Sequence, residues 1–473
     1  MLRDRYEPQD LFALVPKLQL ALDPELAQLD QLLDDDALFA RVRADLVRRR
    51  PQTATRGRHS TPVEVVLRLL VVKRRYNWSY EETEHFVGDS LVLRQFCRLY
   101  VQPVPDDTTL IRWAHLIGSE TVAALNERVV ALAQALKVTR GRKLRIDGTV
   151  VETNIHHPTD SRLLGDGVRV ISRLLRRAKA VLGEGAAVGK QAFRTRTRSI
   201  RRLAQQLHRV ARRKGEQAAE DLQQAYDQRI GIAKASRAQA EQVVEALQAH
   251  ATAQAQRVVQ RFEYVLPLVE QAIDQATRRV LQGEAVPSAE KVVRLFEPHT
   301  QIIRRHKAGK PTAFGRTVLL DEVEGGIISH DEILGDAGGL EHPHLPAHLD
   351  VHQQHFGRVP EVLAGDRGLY SPEHEAHARA RGVTHIVLPK TGRLSQERQQ
   401  HERQRAFRRG FRFRAGIEGR INVLKRDYGL DCGREHGEDG LGRWVGWGIV
   451  THNLAQIART VAARPARPAR RAA

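Results

Sequence analysis

A chain of 473 residues is long enough for several domains and for a core that needs no disulfide or metal staple. Its 76 Lys+Arg against 56 Asp+Glu leave a net charge of +20, which points to a polyanionic partner, nucleic acid first. No run of about 18 apolar residues occurs and the opening MLRDRYEPQD lacks an apolar signal core, so no membrane partner and a soluble, cytoplasmic protein are expected, while the isolated Cys97 and Cys432 indicate neither a disulfide framework nor a zinc site.

Residues 1–59 read as an N-terminal helical arm with acids at Asp34, Asp35 and Asp36 and a closing basic run, Arg48 to Arg50. In the region 60–135, Thr61, Pro62 and Glu64 have the form of an N-cap, first-turn proline and capping box ahead of Val65, Val66, Leu69 and Leu70. Ser79 and Glu82 repeat the spacing, and Asp107 can cap a third segment with Leu110, Trp113, Ala114 and Ile117 on one face. Lys73, Arg74, Arg75, Arg94, Arg98 and Arg112 fall outside the apolar stripes. Three short helices with that charge suit a helix-turn-helix-like DNA reader, with Arg112 as a DNA contact; a bundle with a solvated basic face fits the same pattern.

The alternation in Lys143 to Ile146 predicts a short strand carrying Asp147 at its end. His156 and His157 follow, read as surface histidines of a loop because no spaced ligand partner accompanies them. Residues 168–295 form a basic helical insertion, Arg-rich at first and then Ala, Gln and Glu-rich as in long, coiled-coil-like helices. Strands are expected at Gln301 to Arg305, Arg316 to Glu322 and Gly326 to His330, forming a small antiparallel sheet. The acids Asp321, Glu322, Glu324 and Asp331 flank the Gly325-Gly326 turn and are expected to be solvated, with Asp331 and Asp336 as weak alternative site acids. Pro360 to Gly365 is a strand ending on Asp366, Ser371 and Pro372 open a helix, and Thr384 to Leu388 is a further strand. A last helix surrounds Trp444 to Ala458, and the Arg-Pro-Ala-Arg tail, 461–473, reads as a disordered, basic end. The sum is a mixed α+β fold, with an α/β layer in two pieces, 140–167 and 296–460, around the helical insertion.

Phe411 to Tyr428 is the most informative stretch. On a helical projection with Arg414 at zero, Glu418, Lys425 and Phe411 fall at about 40, 20 and 60°, and Ile417, Ile421, Leu424 and Tyr428 gather between about 280 and 340°. One edge of this helix is apolar and the adjacent one charged. Gly416 and Gly419 work against the helix, which implies close packing there, and Gly429 is a natural terminator. On spacing alone, a surface helix with ion pairing of Arg414, Glu418 and Lys425 is the competing reading.

Phe411-x2-Arg414-x3-Glu418-x6-Lys425 resembles the Tyr-x2-Arg-x3-Glu-x6-Lys signature of insertion-sequence DDE transposases, with Phe in place of Tyr. Ile146-Asp147-Gly148-Thr149 resembles the context of that family's first aspartate, and Ala364-Gly365-Asp366-Arg367-Gly368 that of its second; the overall look is closest to the ISNCY-like group. The 219 positions between Asp147 and Asp366 require an insertion, which 168–295 supplies. The resemblance implies a ribonuclease-H-like core and an enzyme of DNA transposition and recombination. It implies that Asp147, Asp366 and Glu418 are catalytic and hold two Mg2+ or Mn2+ ions, and that Phe411, Arg414 and Lys425 contact DNA. Phe411 lacks the phenolic hydroxyl of the family's Tyr. Double-stranded DNA, as element ends and target, and a second copy of the chain are the implied partners. A domesticated nuclease or recombinase of the same fold, or a non-catalytic architectural DNA-binding protein, are the alternatives.

Overall fold

The computed structural model describes residues 4–5, 22–48, 52, 61–183, 188–305, 311–335 and 342–464. Arg49, Arg50, Asp336 and the tail beyond 464 lie outside them. The fold is mixed α+β, as expected, and the chain divides into two compact units: Met1–Glu152 with Thr317–Ala473, and Thr153–Arg316.

The first unit opens with helices α1 (Pro24–Leu32), α2 (Asp36–Arg48), α3 (Val63–Arg75), α4 (Tyr80–Asp89), α5 (Leu91–Phe96), α6 (Asp107–Leu116) and α7 (Ser119–Ala135). The Ser79/Glu82 capping box forms as read. The one expected at Thr61 does not: the N-cap of α3 is Pro62, and Glu64 turns inward to pair with Arg68 at 3.0 Å. Asp106, rather than Asp107, caps α6 by accepting from the Thr109 amide at 2.8 Å.

Helix α3 is buried around its whole circumference from Val63 to Arg74, which makes it the centre of a helical core rather than one wall of a solvated bundle. Lys73 and Arg74 are therefore not on an open basic face. The Arg74 guanidinium lies 3.8 Å from the Trp444 ring and donates to the Trp444 carbonyl at 2.6 Å, and burial pushes the Lys73 ammonium down to about 7. Arg75 pairs with Glu25, Arg98 pairs with Asp30, and Arg94 donates to the carbonyls of Tyr100 and Gln102. Of the six cations read as a basic face, Arg112 alone is exposed, and among the described residues it bonds only Thr108 and Thr109.

Strand β1 (Lys143–Thr153) runs past the expected end, so Asp147 lies in mid-strand. It carries the chain into the second unit, where α8 (Asp160–Leu182) starts ahead of the expected boundary at 168. With α9 (Thr197–Val210), α10 (Glu216–Gln248) and α11 (Ala253–Ala276) it encloses its own apolar core, in which Leu164, Ile171, Leu175, Ala233, Val243 and Phe262 are buried. His156 and His157 are exposed in the loop before α8. Strand β2 (Gln301–Arg304) pairs antiparallel with the first residues of β3 (Thr312–Val323).

Back in the first unit, β3 pairs antiparallel with β4 (Ile327–Ile333). There follow α12 (Leu345–Phe356), β5 (Val362–Ala364), α13 (Pro372–Ala380), β6 (His385–Val387), α14 (Gln396–Arg403), α15 (Arg405–Tyr428), β7 (Cys432–Gly433) and α16 (Gly437–Ala462). The strand order here is β3-β1-β5-β6, with β4 on β3 and β7 on β1, and β5 is parallel to both β1 and β6.

Two acids expected in solvent are in the core. Asp321 and Glu322 lie inside β3, fully buried. A buried carboxylate must be paired, and the two point to opposite faces of the strand, each to its own partners. Asp321 accepts from His348 Nδ1 at 2.7 Å, whose Nε2 meets Glu332 at 2.9 Å, while Glu322 takes Arg145 in a two-pronged pair at 2.8 and 2.6 Å and Arg420 at 3.3 Å.

Candidate active site on the β1, β5 and α15 elements

The register of β1 and β5 sets the site. Lys143 pairs with Val362, Leu144 with Leu363 and Arg145 with Ala364. Carried on by two residues, that offset would put Asp147, in the middle of β1, level with Asp366, two residues past the end of β5; neighbouring strands lie about 4.8 Å apart. Gly365 allows the turn between them: a Cβ there would come within 3 Å of Leu369 and Leu388 side-chain carbons. Asp366 then caps a short turn, Arg367–Leu369, accepting from the Gly368 and Leu369 amides at 2.8 and 3.2 Å. Both amides bond the same oxygen of the carboxylate.

Helix α15 lies over these strands, and a polar bolt holds it there. Arg145, two residues before Asp147 on the same face of β1, pairs with Glu322 and donates to the Phe413 carbonyl of α15. Gly416 is where this guanidinium passes the helix, and a Cβ would collide with it, so the poor helix former answers to close approach. Ile417, Leu424 and Tyr428 are buried as the helical phase requires, and Gly429 ends the helix with φ 68°.

The charged edge of α15 faces Asp147. Arg414 donates to Asp147 at 3.0 Å and to Glu418 at 2.9 Å, bridging the two acids. Asp147 is buried, Asp366 half-buried and Glu418 exposed. Burial raises the Asp147 carboxyl to about 6; the positive Arg414 opposes this, and the negative charges of Asp366 and Glu418 add to it. Asp147 thus feels both other acids, with the Arg414 guanidinium between it and Glu418. Among the described residues no group of three or more His, Cys, Asp or Glu stands together as a ready-made set of metal ligands.

Lys425 donates to the Val150 carbonyl on β1 at 2.7 Å, so it clamps helix to strand. Phe411 is 46% exposed and, with Arg367, Arg408 and Arg412, lines a cavity of about 560 Å³. Three guanidiniums and the Glu402 carboxylate thus surround an open aromatic face. Arg112, on α6, is exposed and takes no part in the carboxylate cluster. Arg145 was not singled out by the sequence reading, and Glu322 was read as a solvated acid. The available signal was their position: both sit inside apolar strand patterns, where an unpaired charge is not tolerated.

No curated protein and no solved structure matches this chain. Residues 11–116 match a family model described as Transposase domain (DUF772), a span that takes in α1 to α6. Its N-terminal region is thus similar to a transposase domain, which relates the chain to transposases and to DNA transposition in the broad sense.

Proposed function

We propose that this chain is a DDE transposase that cuts DNA at the ends of an insertion element and joins them to target DNA, with Asp147, Asp366 and Glu418 as its catalytic acids. The observation that carries the reading is that two aspartates, 219 positions apart, fall on neighbouring strands, Asp147 within β1 and Asp366 just past β5, under a helix whose Arg414 ties Asp147 to Glu418. A sheet that places two acids on strands and a later helix that brings the third is what a ribonuclease-H-like core requires.

The donor set fits Mg2+ or Mn2+ in its chemistry, because all three groups offer hard carboxylate oxygens. Two such ions, when bound, supply the charge that stabilises both the attacking and the leaving oxygen of a phosphodiester. Asp147 and Asp366 would hold them from the sheet and Glu418 from the helix. Arg414 occupies the space between Asp147 and Glu418, so loading requires its guanidinium to swing aside, where it can take a DNA phosphate by a charge-assisted bond. Phe411 and the arginines around it would seat the strand end beside Asp366, and Lys425 keeps α15 at its height on β1. The DNA partner is duplex, and paired element ends call for a second copy of the chain.

The test is a nicking assay on supercoiled plasmid and on linear DNA carrying the element ends. Asp147→Ala, Asp366→Ala and Glu418→Ala are each expected to abolish Mg2+-dependent cleavage while leaving DNA binding within about threefold, since phosphate contacts dominate affinity. Full cleavage by any of the three removes that residue from the site. Absence of cleavage by the unaltered chain, with binding intact, favours an architectural DNA-binding role.

A further inference from the structure

The arginines of the second unit are arranged unlike those of the first. On α8, Arg162, Arg169, Arg173 and Arg176 are all exposed and fall within about 60° of one another on the helical projection. They form one stripe about 21 Å long at 1.5 Å per residue. Arg201, exposed on α9, and Arg294 extend it sideways: after burial, the positive charges of Arg294, Arg201, Arg162 and Arg173 depress the ionisation of Arg169, which places these guanidiniums in one another's field.

Acids do not balance this charge. Asp166, itself buried, serves both Arg169 and, at 2.8 Å, Arg294. Among the described residues, no carboxylate pairs with Arg162, Arg173 or Arg201, although ion pairs are plentiful elsewhere in the chain. Holding like charges together without partners costs stability, and that cost is offset when an extended anion lies across them.

We propose that this stripe is a binding surface for the phosphate backbone of duplex DNA. It rests on the reading of the chain as a DNA-acting protein and assigns a role to the helical insertion. A single small anion does not span four turns of helix. A lipid surface is disfavoured because the apolar face of α8, with Leu164, Val168, Ile171 and Leu175, is already buried in the unit's core and is not free to enter a bilayer. Guanidiniums spaced along one line match successive phosphates and read no base, so binding here is independent of sequence.

The experiment uses the full chain in EDTA, so that no cleavage intervenes, and measures affinity for two duplexes of unrelated sequence across a salt series. The unaltered protein, the fourfold variant Arg162→Gln/Arg169→Gln/Arg173→Gln/Arg201→Gln, and Asp366→Ala are compared. The fourfold variant is expected to lower the slope of log affinity against log salt by about 3 to 4, at about 0.9 per lost phosphate contact, equally on both duplexes, and Asp366→Ala to leave it unchanged. All four side chains are exposed and Arg294 still pairs with the buried Asp166 when Arg169 is replaced, so the melting temperature should hold; if it falls, Arg173→Gln/Arg201→Gln is the fallback, with an expected slope change of about 2. A slope within about 0.5 of the unaltered protein overturns the proposal. So does a loss confined to binding of mixed phosphatidylcholine–phosphatidylglycerol vesicles or of an acidic protein. A variant that keeps its slope yet still nicks DNA refutes this surface alone; a chain that shows the slope change but never nicks refutes the catalytic reading alone.

Discussion

The first unit and the α8 stripe of the second put arginine to opposite uses. In the first, guanidiniums are drawn inward and matched: Arg68 with Glu64 and Asp30, Arg145 with Glu322, Arg414 with Asp147 and Glu418. In the second, the stripe of α8 keeps its guanidiniums outside and largely without acids. Burial makes the difference, because a buried charge must be paired whereas a solvated one can wait for a ligand. Composition therefore says little about where a basic chain meets its polyanion: the first unit's cations are mostly structural, and the exceptions, Arg112 and the arginines near Phe411, stand out against that background.

The sharpest way to break the comparison is to remove a matched arginine. Arg145→Ala would leave the fully buried Glu322 with Arg420 alone and unbolt α15 from β1, at an expected cost of about 3 to 5 kcal/mol in unfolding free energy. A loss below about 1 kcal/mol in a denaturant titration would mean that the pair is incidental. The same unit holds a second test in His348, clamped between Asp321 and Glu332. Burial opposes its charge, but the two carboxylates prevail and raise it to about 10. The folded state thus holds this proton more tightly than the unfolded chain, whose histidines titrate near about 6.5. The stabilisation is complete below that value and is lost as pH rises toward 10. His348→Gln should flatten that limb of the stability curve, and a mutant that falls in parallel with the unaltered chain contradicts the clamp.

A smaller effect in the same direction, at lower pH, is expected at Asp147. Its carboxyl, raised to about 6, binds its proton more tightly in the folded state than in the unfolded, so stability declines as pH climbs from about 4 through 6. Asp147→Asn removes the charge and should be the more stable protein at pH 7, by no more than about 3 kcal/mol, while being inactive. Chemical unfolding at pH 4 and pH 7 checks this: the gain should be present at pH 7 and absent at pH 4. A stabilised but dead variant is the mark of a site that keeps a carboxylate buried at a cost to stability.

Much of this was legible in the sequence. The phase of α15 placed Glu418 beside Arg414 and away from Ile417 and Leu424, and the strand at Pro360 to Gly365 located Asp366, because both signals are local periodicities. The pairing of β1 with β5 was not, since it joins strands separated by a whole helical unit and depends on register. Misreadings cluster at buried charges. Lys73, Arg74, Asp321 and Glu322 look solvated in sequence, and only the side chains they meet, Trp444, Tyr80, His348 and Arg145, show them to be core. Likewise the expected phosphate contacts Arg414 and Lys425 are engaged within the protein, which spacing does not reveal.

The central claim is that Asp147, Asp366 and Glu418 act together on a phosphodiester. The most direct measurement is Mg2+-dependent nicking by the unaltered chain and the three single alanine variants, on the same DNA and with binding measured alongside. The account predicts cleavage by the first and none by the other three, with affinity preserved; cleavage that survives loss of any one acid would contradict it.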